Sequence, residues 1–492
     1  MRISGAITIA LMSVFQFTAA FVLRSPRGTV ARAFSSSPSS SSLSSSTSQR
    51  ASDEKKSICV VGGGFGGLYT ALKLGNLLKD QRDTEVVLID PKDKFVFLPL
   101  LYELAVGSAS TAEVCPRYDS LLQGSNVKFV RASVTDVNFK KNELKVVNPG
   151  TDATSAMRYD QLVLAVGAQP RLDLAPGMKE HALPFYRFED AYELKVRLRA
   201  LVDSKRPVIR VVVLGGGYSG VEVACNVAQY IGQDRAIITV VEKNSRILQN
   251  SPENNRDASM KALGRLGITV KCDTVAARVT DSAVTVYEKA SEGDSQEYDV
   301  DADLVLLTLG MELSPLVKTL NLPKDKLGRL STDRTLQSKG KANVFVLGDC
   351  GGVEGDMLPS TAQVAMQQAD IVAKNAAHRA VMFDQAEDLW DKASRPGELE
   401  KFRFVPLGEM ITLGSAKGAI TSLGGLVRLQ GPLAALGRRI VYAVRMPTRQ
   451  QRVSALFNAG LSEAIYLRDR IASRIHRLSE NSIPDARTAA HK

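Results

Sequence analysis

The chain has 492 residues, a formal net charge of +11, hydrophobic residues at 44 % and charged residues at 23 %, values ordinary for a globular protein of two or three domains. Its five cysteines form no CxxC or other close pair, and its four histidines lack ligand spacing. The composition therefore predicts reduced thiols, and it argues against a disulfide framework and against a metal site.

The N-terminal segment differs in composition from the rest of the chain. Residues 1–52 hold five arginines and no acidic residue, so 11 − 5 leaves a net charge of +6 for the remainder. An apolar run from Ala6 to Phe17 is typical of a signal peptide, and the Ser- and Arg-rich stretch after it has the composition of a transit peptide. We interpret residues 1–52 as a signal peptide plus a transit peptide. Their order favours a plastid, while the RAFSSS stretch leaves a mitochondrion as the alternative.

Residues 57–90 predict a complete dinucleotide-binding unit. Their sequence, SICVVGGGFGGLYTALKLGNLLKDQRDTEVVLID, contains a buried strand, a glycine-rich turn, a helix and a second strand that ends at Asp90. In the GxGxxG pattern the first glycine allows the tight turn, the second lets the backbone approach a pyrophosphate, and the third lets the helix pack close to its strand. The predicted cofactor-binding residues here are Gly62, Gly64, Phe65, Gly66, Gly67 and Asp90.

The elements that follow predict an interruption of this lobe. Strands are expected at residues 126–130, 143–147 and 159–167, and the last of them ends at Gly167, a further cofactor-binding candidate. A closing strand of this kind indicates that another domain is inserted before the first lobe continues. Residues 185–205 have apolar residues at helical spacing and should connect the lobes.

Residues 209–242 form a second unit of the same kind, IRVVVLGGGYSGVEVACNVAQYIGQDRAIITVVE. Its second strand ends at Glu242, where a carboxylate binds an adenosine ribose. Strands at residues 268–271, 283–287 and 304–309 complete the inserted lobe. The predicted binding residues of this lobe are Gly215, Gly217, Gly220, Glu242 and, after its last strand, Gly310.

Two dinucleotide-binding units in one chain imply a flavin and a nicotinamide nucleotide, because FAD stays bound whereas NAD(P)H comes and goes. The predicted fold class is α/β, with two Rossmann-type domains, the second inserted in the first, and a C-terminal membrane-surface region. The predicted ranges are 57–175 with 306–390 for the FAD-binding domain, 176–305 for the NAD(P)-binding domain, 400–478 for the C-terminal region and 479–492 for a flexible tail.

The first lobe is predicted to resume at NVFVLGDC, residues 343–350, where a strand ends at Gly348 and Asp349. An acid at this position can accept hydrogen bonds from the ribityl hydroxyls of a flavin. Gly348 and Asp349 are therefore cofactor-binding candidates. Residues 351–378 are expected to form a helix that carries AQVAMQQA.

The C-terminal region is basic, since residues 401–478 hold thirteen Lys or Arg against three acidic residues. The stretch LVRLQGPLAALGRRIVYAVRM mixes apolar residues with four arginines, which suits a monotopic surface on an anionic leaflet. Those arginines are Arg428, Arg438, Arg439 and Arg445. The alternative is a basic amphipathic helix at a homodimer interface. No segment after the presequence reaches about 18 consecutive apolar residues, so no transmembrane helix is predicted, and no nucleic-acid reader motif is present.

Six motifs occur in the order found in type II NAD(P)H:quinone dehydrogenases, which are single-chain, non-pumping flavoproteins: GGGFGG, FLPLLYELAVG, LAVGAQP, GGGYSGVEVA, VFVLGDC and AQVAMQQ. The chain resembles this family over residues 57–470, and it is most similar to the plastid, cyanobacterial-like subgroup. The resemblance implies a membrane-associated enzyme that passes a hydride from NADH or NADPH to FAD and two electrons to a prenylquinone. It implies a thylakoid surface or a plastoglobule, with the mitochondrial inner membrane as the alternative.

The resemblance also implies three catalytic residues. Gln363 and Gln367 lie one helical turn apart and would face the isoalloxazine and the quinone, and Glu222 would lie near the nicotinamide. Glu242 favours NADH, although Lys243 and Arg246 follow it and could accommodate a 2′-phosphate. The other interpretations are a helix cap for the glutamines and a dipole-favoured acid for Glu222. For the whole chain they are a soluble NAD(P)H-flavoprotein reductase of a protein acceptor and a redox sensor similar to apoptosis-inducing factor.

Overall fold

A computed structural model describes residues 55–289, 296–382, 399–414 and 417–456 of the chain. The predicted signal and transit peptide lies outside the described residues, as do the predicted flexible tail and part of the C-terminal region. The elements below are numbered in chain order within the described ranges.

The strands are β1 (Lys56–Val61), β2 (Thr84–Asp90), β3 (Val127–Arg131), β4 (Ser133–Asn138), β5 (Glu143–Val147), β6 (Thr154–Arg158), β7 (Gln161–Leu164), β8 (Ala168–Pro170), β9 (Ala182–Pro184), β10 (Ile209–Leu214), β11 (Ala236–Val241), β12 (Thr269–Lys271), β13 (Thr274–Val279), β14 (Ala283–Glu288), β15 (Glu297–Asp301), β16 (Leu304–Leu307), β17 (Met311–Leu313), β18 (Leu330–Thr332), β19 (Val344–Val346), β20 (Gly351–Val353), β21 (Glu409–Thr412), β22 (Gly418–Ser422) and β23 (Val427–Gly431).

The α-helices are α1 (Phe65–Leu77), α2 (Leu101–Ala105), α3 (Thr111–Val114), α4 (Tyr118–Leu122), α5 (Met178–His181), α6 (Phe188–Asp203), α7 (Tyr218–Ile231), α8 (Glu253–Arg265), α9 (Pro315–Thr319), α10 (Ala362–Met382) and α11 (Pro432–Arg445).

Two five-stranded parallel sheets form the centres of the two lobes. The first has the strand order β19-β7-β1-β2-β3, and the second has the order β12-β11-β10-β16-β9. The central strands β1 and β10 read KSICVV and IRVVVL and are buried over most of their length, as parallel strands covered on both faces should be. Because β7 and β19 pair in the first sheet while the whole second sheet lies between them in sequence, the predicted insertion is confirmed.

The two lobes repeat each other beyond their sheets. Each carries a three-stranded antiparallel sheet inserted at the same place, β4-β5-β6 in the first lobe and β13-β14-β15 in the second. The central strands send alternate side chains to opposite faces. One set of side chains enters a large apolar core that both lobes share with the C-terminal residues, and the other set packs in its own lobe beside the antiparallel sheet.

Two short strands connect the lobes, because β8 and β17 pair antiparallel where the chain leaves and re-enters the first lobe. The predicted boundary at residue 305 falls inside β16, which pairs with β10 of the second lobe. We therefore place the end of the inserted lobe after Leu307, since a strand belongs to the sheet that satisfies its backbone groups.

The helix predicted from residue 351 begins later than expected. Residues 351–353 form β20, which pairs in parallel with β18, and α10 starts only at Ala362. Three glycines and Pro359 precede it, and both residue types disfavour a helix interior. The helix continues beyond residue 378, as far as Met382, where this described range stops.

The C-terminal residues form a small module, which we define as the antiparallel sheet β21-β22-β23 followed by α11. This module packs on α8 of the second lobe and on the apolar core of the first. Within the described ranges, no helix is both long and apolar enough to cross a bilayer. The stretch predicted as a membrane surface is thus one strand and one amphipathic helix, of which one face is buried.

Candidate functional site

The first glycine-rich loop has the geometry that a bound dinucleotide requires. Gly62 has a φ of +100°, and a Cβ on Gly67 would lie 1.7 Å from the carbonyl oxygen of Gly62. Both positions therefore exclude any other residue. By contrast, no described atom lies within 4 Å of the place that a Cβ on Gly64 would take, so the space in front of the loop is open. Gly66, another predicted cofactor-binding residue, lies beside Leu347. Leu347 directly precedes the turn formed by Gly348 and Asp349, which we call the GD turn.

Asp90 holds this loop from the end of β2. Its carboxylate is buried and accepts hydrogen bonds from the backbone N–H groups of Gly63 at 2.6 Å and Lys92 at 2.8 Å. The hydroxyl of Tyr118 donates to the carbonyl oxygen of Gly63 at 2.9 Å. The acid predicted from sequence thus fixes the turn and keeps lone pairs for a ribose, whereas Tyr118 was not predicted because only the fold brings it to the loop.

The third predicted element lies next to the first loop. Gly348 has a φ of +73°, and its N–H donates to the side-chain oxygen of Gln368 at 2.7 Å. The carboxyl group of Asp349 has no hydrogen-bond partner among the described residues, and burial raises its pKa, with Arg329 acting in the opposite direction. A half-buried acceptor of this kind suits a hydroxylated cofactor chain. Gly167, which follows β7, also has a positive φ, of +63°.

The second loop repeats the geometry of the first. Gly215 has a φ of +116°, a Cβ on Gly220 would lie 1.8 Å from the Gly215 carbonyl oxygen, and the space beside Gly217 is open. Glu242 is buried and accepts from the Gly216 N–H at 2.7 Å and from the Asn244 N–H at 2.9 Å. The hydroxyl of Thr308 donates to the Leu214 carbonyl oxygen at 2.9 Å.

These observations show that both loops fit a dinucleotide. In each loop the first and third glycines are required by the backbone, the second faces open space, and a buried acid from the next strand fixes the middle N–H. The N-termini of α1 and α7 lie at these loops, and the free backbone N–H groups of a helix N-terminus favour the binding of a phosphate. Gly310, with a φ of +55°, instead lies near Leu174 in the connection between the lobes.

Gln363 and Gln367 lie on one face of α10, as predicted, and both contact the extended chain before β21. Gln363 accepts from the Leu407 N–H at 2.9 Å and donates to the Gly408 carbonyl oxygen at 3.2 Å. Gln367 makes the same pair of bonds with the backbone of Val405, at 3.1 and 2.9 Å. The two amides therefore hold the segment that leads into the C-terminal module against α10, a contact that the sequence did not predict.

Glu222 lies one turn into α7 and is almost fully buried. Its carboxyl oxygen accepts from the Thr412 N–H of β21 at 3.1 Å. Burial raises the pKa of Glu222 to about 7, and Arg438 and the Thr412 N–H act in the opposite direction. A carboxyl group with this pKa can hold or release a proton near neutral pH, which is the property expected of an acid in an active site.

A buried ion pair joins α2 to α11 near Glu222. The guanidinium of Arg438 lies 2.8 Å from one oxygen of Glu103, and Arg439 lies 2.6 Å from the other. Arg438 is 2 % exposed and also donates to the hydroxyl of Tyr102. The interpretation of Arg438 and Arg439 as cations that face a membrane is therefore wrong, because a buried carboxylate from the FLPLLYELAVG motif holds them inside.

An apolar cavity lies between the start of α10, the C-terminal sheet and α11. The surface that faces the cavity is mainly apolar, although five lining residues, Gln363, Glu409, Thr421, Ser422 and Arg445, are polar or charged. The lining residues are Gln363, Leu407, Gly408, Glu409, Met410, Ile420, Thr421, Ser422, Val427, Leu429, Val441 and Arg445. The cavity therefore brings one predicted catalytic glutamine to residues of the C-terminal module.

All five cysteines lie within the described residues and are free. Four are buried, and burial raises the pKa of Cys59, Cys115 and Cys225 to about 12 and of Cys350 to about 11. Thiols of this kind are inert at neutral pH. This agrees with the prediction of reduced thiols and argues against disulfide chemistry.

Comparison with known proteins agrees with this geometry. Residues 56–369 match the family described as pyridine nucleotide-disulphide oxidoreductase. The chain is 39 % identical over 408 residues to the demethylphylloquinone reductase of Synechocystis sp., which covers 82 % of this chain and 95 % of the relative. It is 35 % identical to an alternative NAD(P)H-ubiquinone oxidoreductase, chloroplastic/mitochondrial, of Arabidopsis thaliana, over 82 % of this chain and 80 % of the relative.

The chain belongs to the type II NAD(P)H:quinone dehydrogenase family. The fold agrees, since the chain superposes on the NDH2 of Plasmodium falciparum with a TM-score of 0.70 at 17 % identity, over 83 % of this chain and 97 % of that one. Membership confirms the predicted reaction class, an NAD(P)H:quinone oxidoreductase with FAD and NADH or NADPH.

Proposed function

We propose that this chain is a membrane-surface enzyme of the plastid that reduces a prenylated naphthoquinone at the expense of NADH. The relatives support a quinone acceptor, and one of them is named for demethylphylloquinone, which is a prenylated naphthoquinone. They also support a plastid or a mitochondrion, because the Arabidopsis relative is named chloroplastic/mitochondrial. We choose the plastid because the predicted signal peptide precedes the transit peptide.

The proposed cofactor contacts follow the two loops. The first loop with Asp90, Gly167 and the GD turn would hold FAD, and the second loop with Glu242 would hold the nicotinamide nucleotide. FAD supplies the hydride and electron transfer between the two substrates. The chain supplies fixed backbone N–H groups at the loops, and Glu222 supplies a carboxyl group whose pKa allows it to take up or release a proton.

The apolar cavity is the observation that carries the quinone assignment. It adjoins Gln363 and is walled by the C-terminal module, which we propose as the surface that meets the bilayer. A quinone ring could therefore pass from the lipid to α10 through apolar surroundings. Such a route suits a ring that has two polar oxygens and a long hydrocarbon tail.

Steady-state turnover tests the proposal. The purified holoenzyme should oxidise NADH when given a phytylated or prenylated 1,4-naphthoquinone, and it should do so more efficiently than with decylubiquinone or decylplastoquinone. Oxidation that is fast with benzoquinones and absent with naphthoquinones would refute the acceptor class. Turnover only with a soluble electron-carrier protein would support the reductase alternative, and slow turnover with every acceptor would support a redox sensor.

Gln363→Ala tests the cavity as the place of quinone reduction. The change removes one amide, which is worth about 1 kcal/mol or roughly fivefold, and we expect slower reoxidation of the flavin by quinone. Flavin reduction by NADH should change little. Asn375→Ala, in the same helix, is the control, because Asn375 bonds Thr335 and Glu400 away from the cavity. Equal loss in both half-reactions would give Gln363 a purely structural role.

A further inference from the structure

Tyr218 combines two functions in one residue. It is the first residue of α7, so its backbone lies at the helix end that faces the phosphate position of the second loop. Its side chain reaches the C-terminal module, where its hydroxyl donates to the carboxylate of Glu409, the first residue of β21. The hydroxyl of Ser251 lies 2.6 Å from the Tyr218 hydroxyl and 3.1 Å from the same Glu409 oxygen.

Burial and the hydrogen bond to Glu409 raise the pKa of Tyr218, so the phenol stays protonated and remains a donor. A hydrogen bond to a carboxylate is stronger than one between neutral groups. Further hydrogen bonds hold the backbone of Glu409 in place. Asn255 is fully buried, donates to the Glu409 carbonyl oxygen at 3.3 Å and accepts from the Thr421 hydroxyl at 2.8 Å.

The equivalent residue of the first loop is held by other means. Phe65 begins α1 after the same three glycines, and its ring packs against Phe95 and Phe97, with centroids 5.1 and 5.4 Å apart. Apolar packing thus fixes the loop for the cofactor that stays bound. In the second loop, which would bind the nucleotide that exchanges, the corresponding residue Tyr218 is held instead by a polar contact with the C-terminal module.

We propose that Tyr218 and Glu409 form a positioning pair that holds the second glycine-rich loop ready for the nicotinamide nucleotide. Three consecutive glycines, Gly215 to Gly217, leave the loop without side chains of its own to restrict it. Anchoring the next residue removes conformational freedom before the nucleotide binds, and it thereby lowers the entropic cost of binding. The inference rests on the proposed assignment of this loop to the nicotinamide nucleotide.

The pair also means that the nucleotide loop is completed by the C-terminal module. Glu222, on the next turn of α7, makes a second contact with this module through the Thr412 N–H. The module is thus joined to α7 at two successive turns, and it is joined to α10 by Gln363 and Gln367.

The test compares Tyr218→Phe, Glu409→Gln and the double variant with wild-type holoenzyme. Flavin reduction by NADH is followed under anaerobic conditions, and the half-saturating NADH concentration is separated from the limiting rate. A lost charged hydrogen bond of about 1.5 kcal/mol or more predicts a rise in half-saturation of roughly tenfold. The limiting rate of flavin reduction should be unchanged, and the double variant should resemble the single ones because they remove one shared bond. Reoxidation by quinone should be unchanged in Tyr218→Phe, and it is compared in that variant alone because Glu409 also lines the cavity.

Tyr230→Phe is the matched control, because Tyr230 lies at the far end of the same helix. An unchanged half-saturation in both Tyr218→Phe and Glu409→Gln would overturn the inference. So would an equal loss of flavin reduction, quinone reduction and thermal stability. The inference and the proposed function can fail separately. NADH affinity is measured in the flavin-reduction step alone, so it tests the inference without a quinone. The proposed function fails if wild-type protein shows no quinone-dependent turnover.

Discussion

Glu222 is the residue whose environment most clearly links structure to pH. Its carboxyl pKa is about 7 in the folded chain, against an ordinary value of 4.5. Between these pH values the folded protein keeps a proton that the unfolded chain releases. The free energy of unfolding therefore falls as the pH rises through this interval, by about 3 kcal/mol in total from this group.

Glu222→Gln should remove this slope. We expect the variant to gain stability relative to wild type when the pH is raised from about 5 to about 8, because the amide needs no proton to stay neutral. Denaturant unfolding of the FAD-loaded proteins at both pH values measures the difference. Glu180→Gln, a change at an exposed position, should show no such pH dependence. A constant difference between Glu222→Gln and wild type at both pH values would contradict the prediction.

The second prediction for a single residue concerns Glu242 and the choice between NADH and NADPH. Its carboxylate lies at the glycine-rich loop and accepts from Gly216 and Asn244, so its charge is fixed where an adenosine ribose would bind. We expect wild-type protein to prefer NADH, because a 2′-phosphate would be repelled by about 1–4 kcal/mol. Glu242→Gln should raise the relative kcat/KM with NADPH.

The ratio of kcat/KM with NADPH to kcat/KM with NADH is the correct measure. Glu242→Gln can also loosen the loop, but this affects the binding of both nucleotides alike. Gln430→Ala, a change in the C-terminal sheet, serves as the control and should leave the ratio unchanged. If the wild-type protein prefers NADPH and Glu242→Gln shifts nothing, Glu242 does not contact the ribose.

Single residues could be predicted from sequence where their partners are close by or where backbone geometry demands one residue type. The glycines of both loops and the two terminal acids, Asp90 and Glu242, have the expected geometry. Tyr218, Glu103 and Gln368 were missed. Tyr218 and Glu103 have partners 191 and 335 positions away, and a sequence pattern does not reveal such pairs.

At the scale of elements, α11 is held to the first lobe by charge as well as by packing. Arg438 and Arg439 both contact Glu103, and Tyr442 of the same helix lies against Phe97 with ring centroids 5.7 Å apart. A buried ion pair contributes little net free energy when complete, but removal of Arg438 would leave the buried carboxylate of Glu103 with Arg439 alone.

Arg438→Met should therefore destabilise the protein, but by less than the roughly 3–5 kcal/mol expected when a buried charge loses every partner. Glu103→Gln combined with Arg438→Met should recover part of this loss, because no buried carboxylate then remains with only one of its two cations. Chemical denaturation measures both changes. Arg428→Met is the control at an exposed position of β23, with an expected effect within about 0.5 kcal/mol. Similar losses for Arg428→Met and Arg438→Met would contradict the role of the pair.

Helices and strands were predictable from sequence where the apolar residues followed a single helical or strand pattern. The strands of both parallel sheets except β9, and the helix expected at residues 185–205 and observed at Phe188–Asp203, follow from local pattern. The late start of α10 and the strand in the basic C-terminal stretch were not foreseen. Amphipathic basic residues suit a membrane surface and a buried ion pair equally well, and only the position of Glu103 decides between them.

For the whole molecule, the surface of the C-terminal module is where contact with lipid is expected. The turn between β22 and β23 exposes Leu423 and Leu426, and Leu426 is 88 % exposed. Deleting α11 would not test this contact, because the deletion would also remove Arg438 from the core.

Leu426→Asp is a sharper test. Burial of a leucine side chain is worth about 1.5–3 kcal/mol, so its loss should weaken binding to anionic liposomes by roughly tenfold or more. Met357→Asp is the matched control, since Met357 is 89 % exposed and lies outside the module. Co-sedimentation measures both, and raised salt should weaken wild-type binding. Equal effects of the two variants would place the membrane surface elsewhere, and unchanged binding with a shift to monomer would favour a dimer interface.

The inserted position of the second lobe sets the order in which the two sheets can be completed when the chain becomes available from its N-terminus, at the ribosome or during import into an organelle. Strand β7 ends at Leu164 and its neighbour β19 begins at Val344, so 344 − 164 gives 180 positions between them. The inserted lobe has all its strands before β19 becomes available. Until then β7 presents an apolar edge, which is open to wrong pairing with other strands.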